Sequence, residues 1–379
     1  MLSQKKYLKI SHKSAPIKLI DINYVNERDK ELVAEFINST TSKKYILGIN
    51  KFTKSVQKFV QVDGVIDDFT RVQRSRKKEI LKIIDVPKDG LILYVSTGSP
   101  LEVKARLKEL GFNCISYLSF FKYASFSLLS PPFMEDFYDD FTHNYARYQR
   151  SYDLLCDKES QEIFQKVINF KISLDDSFME GFTNNHDKQY FDKEILPKIK
   201  HINFFDGGAY VGDTTTQLIK NYPDYNKIWL VEPIQESMRI AKRELSGYEN
   251  IELLVCGVGE REEMLSMHEE KSFSTVYGNG VESVKIRTID NIVQDEKVDF
   301  IKLDVEGAEF SALKGAQKTI QKYKPILAIC IYHRARDWYL ISEFILSLEK
   351  GYKIYLRHYM EGIFESVLYF IPTSEEELV

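Results

Sequence analysis

At 379 residues, 44% of them hydrophobic, the chain is too long for one ordinary core and has enough apolar material for two. Its formal net charge is −4, with no concentrated basic block, which argues against a dedicated nucleic-acid binder. Cys114, Cys156, Cys256 and Cys330 form no C-x-x-C pair and have no histidine at zinc-ligand spacing. Cys256 and Cys330 lie in apolar runs, where reduced cysteines act as small buried hydrophobes, and a cytoplasmic setting is expected. Met1 to Pro16 is polar and basic, unlike a signal peptide, and no segment reaches membrane-spanning length.

In chain order, residues 1–123 read as a small Rossmann-like α/β domain. Strand-like runs at Lys44–Leu47, Val62–Ile66 and Leu91–Ser96 precede a helical pattern from Leu101 to Leu110 that stops at Gly111. Gly48-Ile-Asn-Lys-Phe-Thr53 follows a strand but lacks G-x-G-x-x-G, so redox chemistry with a dinucleotide is not expected there. Residues 124–200 are rich in Tyr, Phe, Asp and Asn. Helical periodicity over Glu159–Phe170 predicts a connector that packs on the next domain. Residues 201–379 alternate strands and helices. The predicted strands are Ile202–Phe205, Lys227–Val231, Ile251–Cys256, Val298–Leu303, Pro325–Ile331, Tyr352–Leu356 and Ser366–Ile371, the last pair antiparallel.

A parallel α/β sheet binds ligands at the carboxyl ends of its strands. Here those ends carry Asp206, Glu232, Gly257 and Asp304. Gly207, Gly208 and Gly212 allow a ligand close to the backbone, and a helix starting near Asp213 presents free N–H groups to a carboxylate. An acid ending the second strand can take both hydroxyls of a ribose.

Asp206-Gly-Gly-Ala-Tyr-Val-Gly-Asp213, Glu232-Pro233, Arg287-Thr-Ile-Asp290 and Asp299-Phe-Ile-Lys-Leu-Asp-Val-Glu-Gly-Ala-Glu309 resemble FkbM-type methyltransferases. So do Lys314-Gly-Ala316, Lys324-Pro325 and Ile331-Tyr-His333, with Gln189-Tyr-Phe-Asp192 similar to the lead-in of bacterial members. The resemblance implies a class I, seven-stranded, Rossmann-like methyltransferase domain with S-adenosylmethionine as donor. It implies O-methylation of a sugar hydroxyl, on a surface glycan or a nucleotide-sugar precursor. It implies that Asp206, Gly208 and Asp213 line the methionine end of the donor, that Glu232 holds the ribose, that Gly257 and Val258 lie near the adenine, and that Asp304 lies near the reacting centre.

The acceptor proton needs a base, and His333, His358, Asp304 and Glu306 are the candidates; His333 with Asp304 is preferred. Glu306, Arg334 and His358 are expected at the acceptor, with Arg334 and Arg336 suited to an anionic one. Mg²⁺ on an acidic loop of Asp304, Glu306 and Glu309 is the less favoured alternative, and no metal ligand is assigned. The expected partner is a small-molecule or glycan acceptor, with no nucleic acid and no membrane insertion. Homo-oligomerisation is left open. Val62-Asp-Gly-Val-Ile-Asp-Asp68 is similar to nucleotide-sugar-binding modules of bacterial sugar-modifying enzymes, but the departing glycine loop favours a scaffold or dimerisation role. The alternative function is a nucleotide-sugar-binding assembly protein with a vestigial methyltransferase domain.

Overall fold

The computed structural model describes residues 16–18, 24–69, 74–75, 78–267 and 282–373, so the basic N-terminal segment lies outside the described residues up to position 15. Two sheets of mainly parallel strands are joined by helices. The first contains β1 (Lys44–Leu47), β2 (Gly64–Ile66), β3 (Arg74–Ser75), β4 (Lys78–Leu81), β5 (Leu91–Tyr94) and β6 (Asn113–Ser116), ordered β3-β4-β2-β1-β5-β6. Only the β3–β4 pair is antiparallel. Strand order reverses direction between β1 and β5, so the crevice of this sheet opens beside Leu47 and Tyr94. The sequence reading located β1, β2 and β5 but not β4 or β6, which are short and weakly alternating.

The second sheet contains β7 (Asn203–Gly207), β8 (Lys227–Val231) and β9 (Ile251–Leu254). A side sheet follows, of β10 (Gly257–Val258), β11 (Glu263–Met267) and β12 (Glu282–Arg287), ordered β10-β12-β11. The main sheet resumes with β13 (Phe300–Leu303), β14 (Ile326–Cys330), β15 (Tyr352–His358) and β16 (Ser366–Pro372). Its seven strands run β15-β16-β14-β13-β7-β8-β9, with β16 antiparallel to both neighbours. β13 and β14, Phe-Ile-Lys-Leu and Ile-Leu-Ala-Ile-Cys, are buried throughout, as parallel strands covered on both faces must be. Lys302 is the polar exception in that run. The order reverses between β7 and β13, which places the ligand crevice between Gly207 and Leu303.

The expected third strand ends earlier than read, at Leu254. Gly257–Val258 belongs instead to the side sheet, where Gly257 pairs with Ile286. A Cβ on Gly257 would lie 2.7 Å from the Ile286 side chain, so this glycine serves strand packing.

The segment between the sheets carries helices Phe137–Asp153 and Lys158–Ser173. The second covers and extends the predicted Glu159–Phe170 pattern; its Asp157 cap accepts from the Ser160 N–H at 2.7 Å. Phe137 and Phe164 pack edge-on against Trp338 of helix Asp337–Leu348, in one core with Tyr148, Leu303, Ile329 and Leu356. Tyr148 and Ser151 donate to the Ala335 and Trp338 carbonyls, each at 2.7 Å, and Arg147 pairs with Glu343. Cys256 and Cys330 are buried, and all four cysteines are free thiols.

Candidate functional site

The turn after β7 is shaped by contacts within the protein. Gly208 has φ +73°, and a Cβ there would lie 1.8 Å from the Asp304 carbonyl oxygen. Gly212, φ +82°, sits against Ala241 and Leu245. Both glycines bring the turn close to its neighbours, where a side chain has no room. Asp213 is exposed and opens helix Asp213–Asn221.

Asp206 is fully buried. Its Oδ2 accepts from the Thr215 hydroxyl at 2.7 Å, and its Oδ1 lies 3.2 Å from the Lys302 ammonium. Burial raises the Asp206 pKa, opposed by Lys302 and Thr215. Lys302 also donates to the Gly208 carbonyl at 2.7 Å and the Gly207 carbonyl at 3.3 Å, with its ammonium 5.2 Å from the Tyr190 ring centre. Burial works against its charge, yet Asp206 and Asp304 outweigh burial and its pKa is raised. Asp206 and Lys302 therefore fasten the glycine turn to β13.

Glu232, just after β8, is largely buried. Its two oxygens accept from the Tyr210 and Ile234 N–H groups, each at 2.9 Å. Burial raises its pKa against those two bonds. Tyr210 is 56% exposed at φ +47°, and Val255, just past β9, is 50% exposed. Tyr210 adjoins the Glu232 carboxylate, each of whose oxygens retains a lone pair. Val258 is buried in the core, and Gly257 meets Ile286, so neither side of that pair presents a side chain to the crevice.

Asp304 follows β13 at the crevice, its side chain 22% exposed. Tyr190 donates to its Oδ2 at 2.9 Å and Tyr332 to its Oδ1 at 3.1 Å. Burial opposes its charge, but Lys302, His333 and the two tyrosine hydroxyls more than offset this and lower its pKa. Tyr190 also meets Cys330 Sγ at 3.2 Å and takes a backbone φ of +65°. It comes from the Gln189-Tyr-Phe-Asp192 lead-in, 114 residues before Asp304. The sequence signal was the motif itself, which carried no role for its tyrosine.

His333, following β14, has a side chain 1% exposed. Its Nδ1 lies 3.0 Å from Glu309, and its Nε2 lies 3.5 Å from Glu306 and 3.7 Å from Asp304. Burial opposes its charge, yet Glu309, Glu306 and Asp304 push its pKa well above the usual histidine value. Three carboxylates around one ring favour its protonated form over the neutral base expected from the sequence. Asp304 and Glu309 face opposite ring nitrogens, an arrangement that the imidazolium itself satisfies. One ligand atom each of Asp304, Glu309 and His333 lies within 4.8 Å of the others. Glu309 begins helix Glu309–Lys314 and its Oε1 accepts from the Val305 and Gly307 N–H groups at 2.9 and 3.3 Å. Glu306, φ +54°, points an exposed carboxylate outward, and exposed Arg334 lies over Gly307.

His358 is the second correction. It is buried, with Nδ1 2.9 Å from the Ser366 hydroxyl and its ring edge-on to Phe182. Burial and the neighbouring Lys171 lower its pKa to about 3, so it is neutral and faces the connecting segment instead of Asp304.

Residues 206–354 match the family model of the methyltransferase FkbM domain. Among solved structures the chain is similar to methyltransferase FkbM from Methylobacillus flagellatus KT, at 23% identity over 92% of this chain and 94% of that one, TM-score 0.71. It is more distantly similar to an rRNA methylase from Streptococcus thermophilus, at 18% identity over 46% and 89%, TM-score 0.32. Fibrillarin from Aeropyrum pernix, solved with natively bound S-adenosyl-L-methionine, matches at 14% identity over 46% and 69%, TM-score 0.31. No curated protein matches the chain.

Proposed function

The chain carries a methyltransferase FkbM domain at residues 206–354, and we propose that it transfers a methyl group from S-adenosylmethionine to a hydroxyl oxygen of a sugar. The sugar is part of a surface glycan or its nucleotide-linked precursor. In this reading the seven-stranded sheet is a class I methyltransferase fold, preceded by a scaffold domain over residues 1–123 and a helical connector over residues 124–200.

The observation that carries the reading is the seat of Asp304. An ionised carboxylate stands at the sheet's switch point, its backbone in contact with Gly208 of the donor turn. Donor and acceptor sides therefore meet at one backbone junction, as in-line transfer to a positioned oxygen requires. The residues present fit the donor. Glu232 would take the ribose hydroxyls on its free lone pairs, Tyr210 and Val255 would cover the apolar faces, and the turn 207–213 would meet the methionine end. S-adenosylmethionine supplies an electrophilic methyl group on a sulfonium. The chain's own residues hold the acceptor. Asp304 accepts a hydrogen bond from the reacting hydroxyl, the His333 imidazolium steadies Asp304, and Glu306 with Arg334 engages more distant parts of the acceptor.

Calorimetric titration with S-adenosylmethionine tests the donor assignment, and absence of binding by the folded chain would refute it. Radiolabelled methyl transfer across nucleotide sugars and glycans tests the rest. A methylated nitrogen or carbon in the product would defeat the O-transfer assignment. The alternative of a nucleotide-sugar-binding assembly protein is not favoured, because the crevice of the first sheet is filled by the chain. Pro131, Phe170 and Ile363 close over Tyr94, Ser96 and Ser116 there, leaving a cavity of about 30 Å³, room for water and not for a nucleotide.

A further inference from the structure

Methyl transfer to a hydroxyl needs a proton acceptor, and neither Asp304 nor His333 is suited to keep the proton. His333 already holds one among three carboxylates. Asp304 is stabilised as an anion by two tyrosine hydroxyls and Lys302, which makes it a good hydrogen-bond acceptor and a weak base.

Glu365 is the group left over. It stands at the end of the β15–β16 turn, one residue before β16, and Ser366 beside it accepts from the Ile331 N–H at the end of β14. That places Glu365 on the same rim as Asp304. A carboxylate oxygen of each and the Cys330 thiol lie within 4.8 Å of one another. Gln189, next to Tyr190, donates its side-chain amide to Oε2 of Glu365, and Oε1 takes no hydrogen bond among the described residues. The residue is only partly buried and adopts φ +65°, a left-handed backbone that an ordinary side chain rarely takes.

We infer that Glu365 is a second catalytic carboxylate of this site, the group that takes the proton of the acceptor hydroxyl while Asp304 remains ionised and holds that hydroxyl in place. The inference rests on the methyltransferase reading above. In the step, carried by the fraction of Glu365 that is ionised, the acceptor O–H bond breaks and its proton passes to Oε1 of Glu365. The oxygen's electron pair forms the new bond to the methyl carbon, and the C–S bond breaks onto sulfur. One negative charge on Glu365 and one positive charge on sulfur are lost together, so charge balances.

The surroundings of Glu365 separate its acidity from that of Asp304. Burial and the Asp304 charge raise its pKa to about 8, against Gln189, His333 and Lys302. Two carboxylates driven apart in this way are the mark of a divided acid–base task. Around Glu365, β13 supplies Lys302 and Asp304, β14 leads to Cys330, Tyr332 and His333, and the connector supplies Gln189 and Tyr190.

Two measurements on the full chain test this, one independent of any acceptor. Difference infrared spectroscopy should show protonated carboxyl intensity that ionises on the alkaline side of neutrality; Glu365→Gln should lose its share, leaving that of Asp337, whose pKa burial raises to about 8. Undiminished intensity in Glu365→Gln overturns the inference. In the radiolabelled transfer assay, wild-type kcat should rise with pH along the same limb. Glu365→Gln should lose about 10²–10⁴-fold in kcat, flatten the limb and keep its affinity for S-adenosylmethionine, which also shows that it folds. Glu365→Asp should retain the limb at a reduced rate. Turnover of Glu365→Gln within a few fold of wild type overturns the inference. A wild-type chain that neither binds the donor nor methylates any acceptor would instead defeat the methyltransferase reading, and the infrared result would still decide the proton's place.

Discussion

Both sheets of this molecule have a switch point, and the two have opposite fates. In the first, the carboxyl ends of β1 and β5 are sealed. Asn50 donates to the Val95 carbonyl at 2.9 Å, and a Cβ on Gly48 would meet the Val95 side chain at 2.8 Å. Helix Pro100–Glu109 presents its first N–H groups there, an anion-binding arrangement. The anion is Glu361 of the chain itself, which accepts from the Leu101 and Glu102 N–H groups at 2.9 and 3.0 Å. In the second sheet the corresponding ends carry Glu232, Asp304 and His333, with Tyr210 and Val255 open to solvent. Similar topology thus yields an internal joint in one place and a rim of ionisable side chains in the other. What separates them is whether the chain supplies its own occupant.

The contrast can be broken experimentally. The largest effect should come from Lys302→Met, which leaves Asp206 buried with only Thr215 as a partner. Loss of one member of such a pair costs about 3–5 kcal/mol, read as a lowered urea midpoint; an unchanged midpoint would mean that Lys302 does not fasten the turn. Next, Glu232→Ala should weaken S-adenosylmethionine binding by about 1.5–3 kcal/mol in calorimetry, and it should lower the urea midpoint somewhat because the Tyr210 and Ile234 N–H groups lose their acceptor. Equal affinity in the folded variant would remove the ribose assignment.

A pH dependence sharpens the picture of the second rim. The folded-state pKa of His333 is raised, so the folded chain holds a proton that the unfolded chain releases above about 6.5. Its stabilising contribution is full below that value and is lost as pH rises through the raised folded pKa. The slope from this group is at most about 1.4 kcal/mol per pH unit, and His333→Gln should abolish it in urea midpoints taken across pH. The smallest effect belongs to the sealed rim. Glu361→Ala removes a carboxylate from a helix N-terminus, at a cost of about 1 kcal/mol, with donor affinity unchanged. A loss of donor affinity there would show that the two rims are not separate in function.

The main-sheet strands and the acids at their ends were legible because fully buried parallel strands read as apolar runs with abrupt polar stops. The side sheet was not, since β10 has two residues and β11 and β12 lack a continuous apolar face. The site was legible where its residues adjoin a strand, as Glu232 and Asp304 do. It was hidden where they arrive through long-range folding. Tyr190 reaches Asp304 from the connector, and Glu361 reaches helix Pro100–Glu109 across 260 residues. Lys302 was visible as a lysine inside an apolar strand, but only the register with Asp206 in β7 explains it. His333 was located at the right strand end, but its neighbours Glu309 and Glu306 were not legible, because they meet it only when the 304–309 loop folds back.

The contact between Gly208 and the Asp304 carbonyl has a consequence for how such a protein can change over evolutionary time. The spacing between the two halves of the crevice is set by main chain against main chain, with no side chain interposed. On the proposed reading, substitutions in the loops around Glu306, Arg334 or the β15–β16 turn can therefore reshape the acceptor's surroundings while that spacing stays fixed. Replacement of Gly208 by any other residue would wedge β7 and β13 apart and alter that spacing for every acceptor alike. A lineage descended from this chain could exchange one acceptor for another by loop variation alone, with position 208 closed to change.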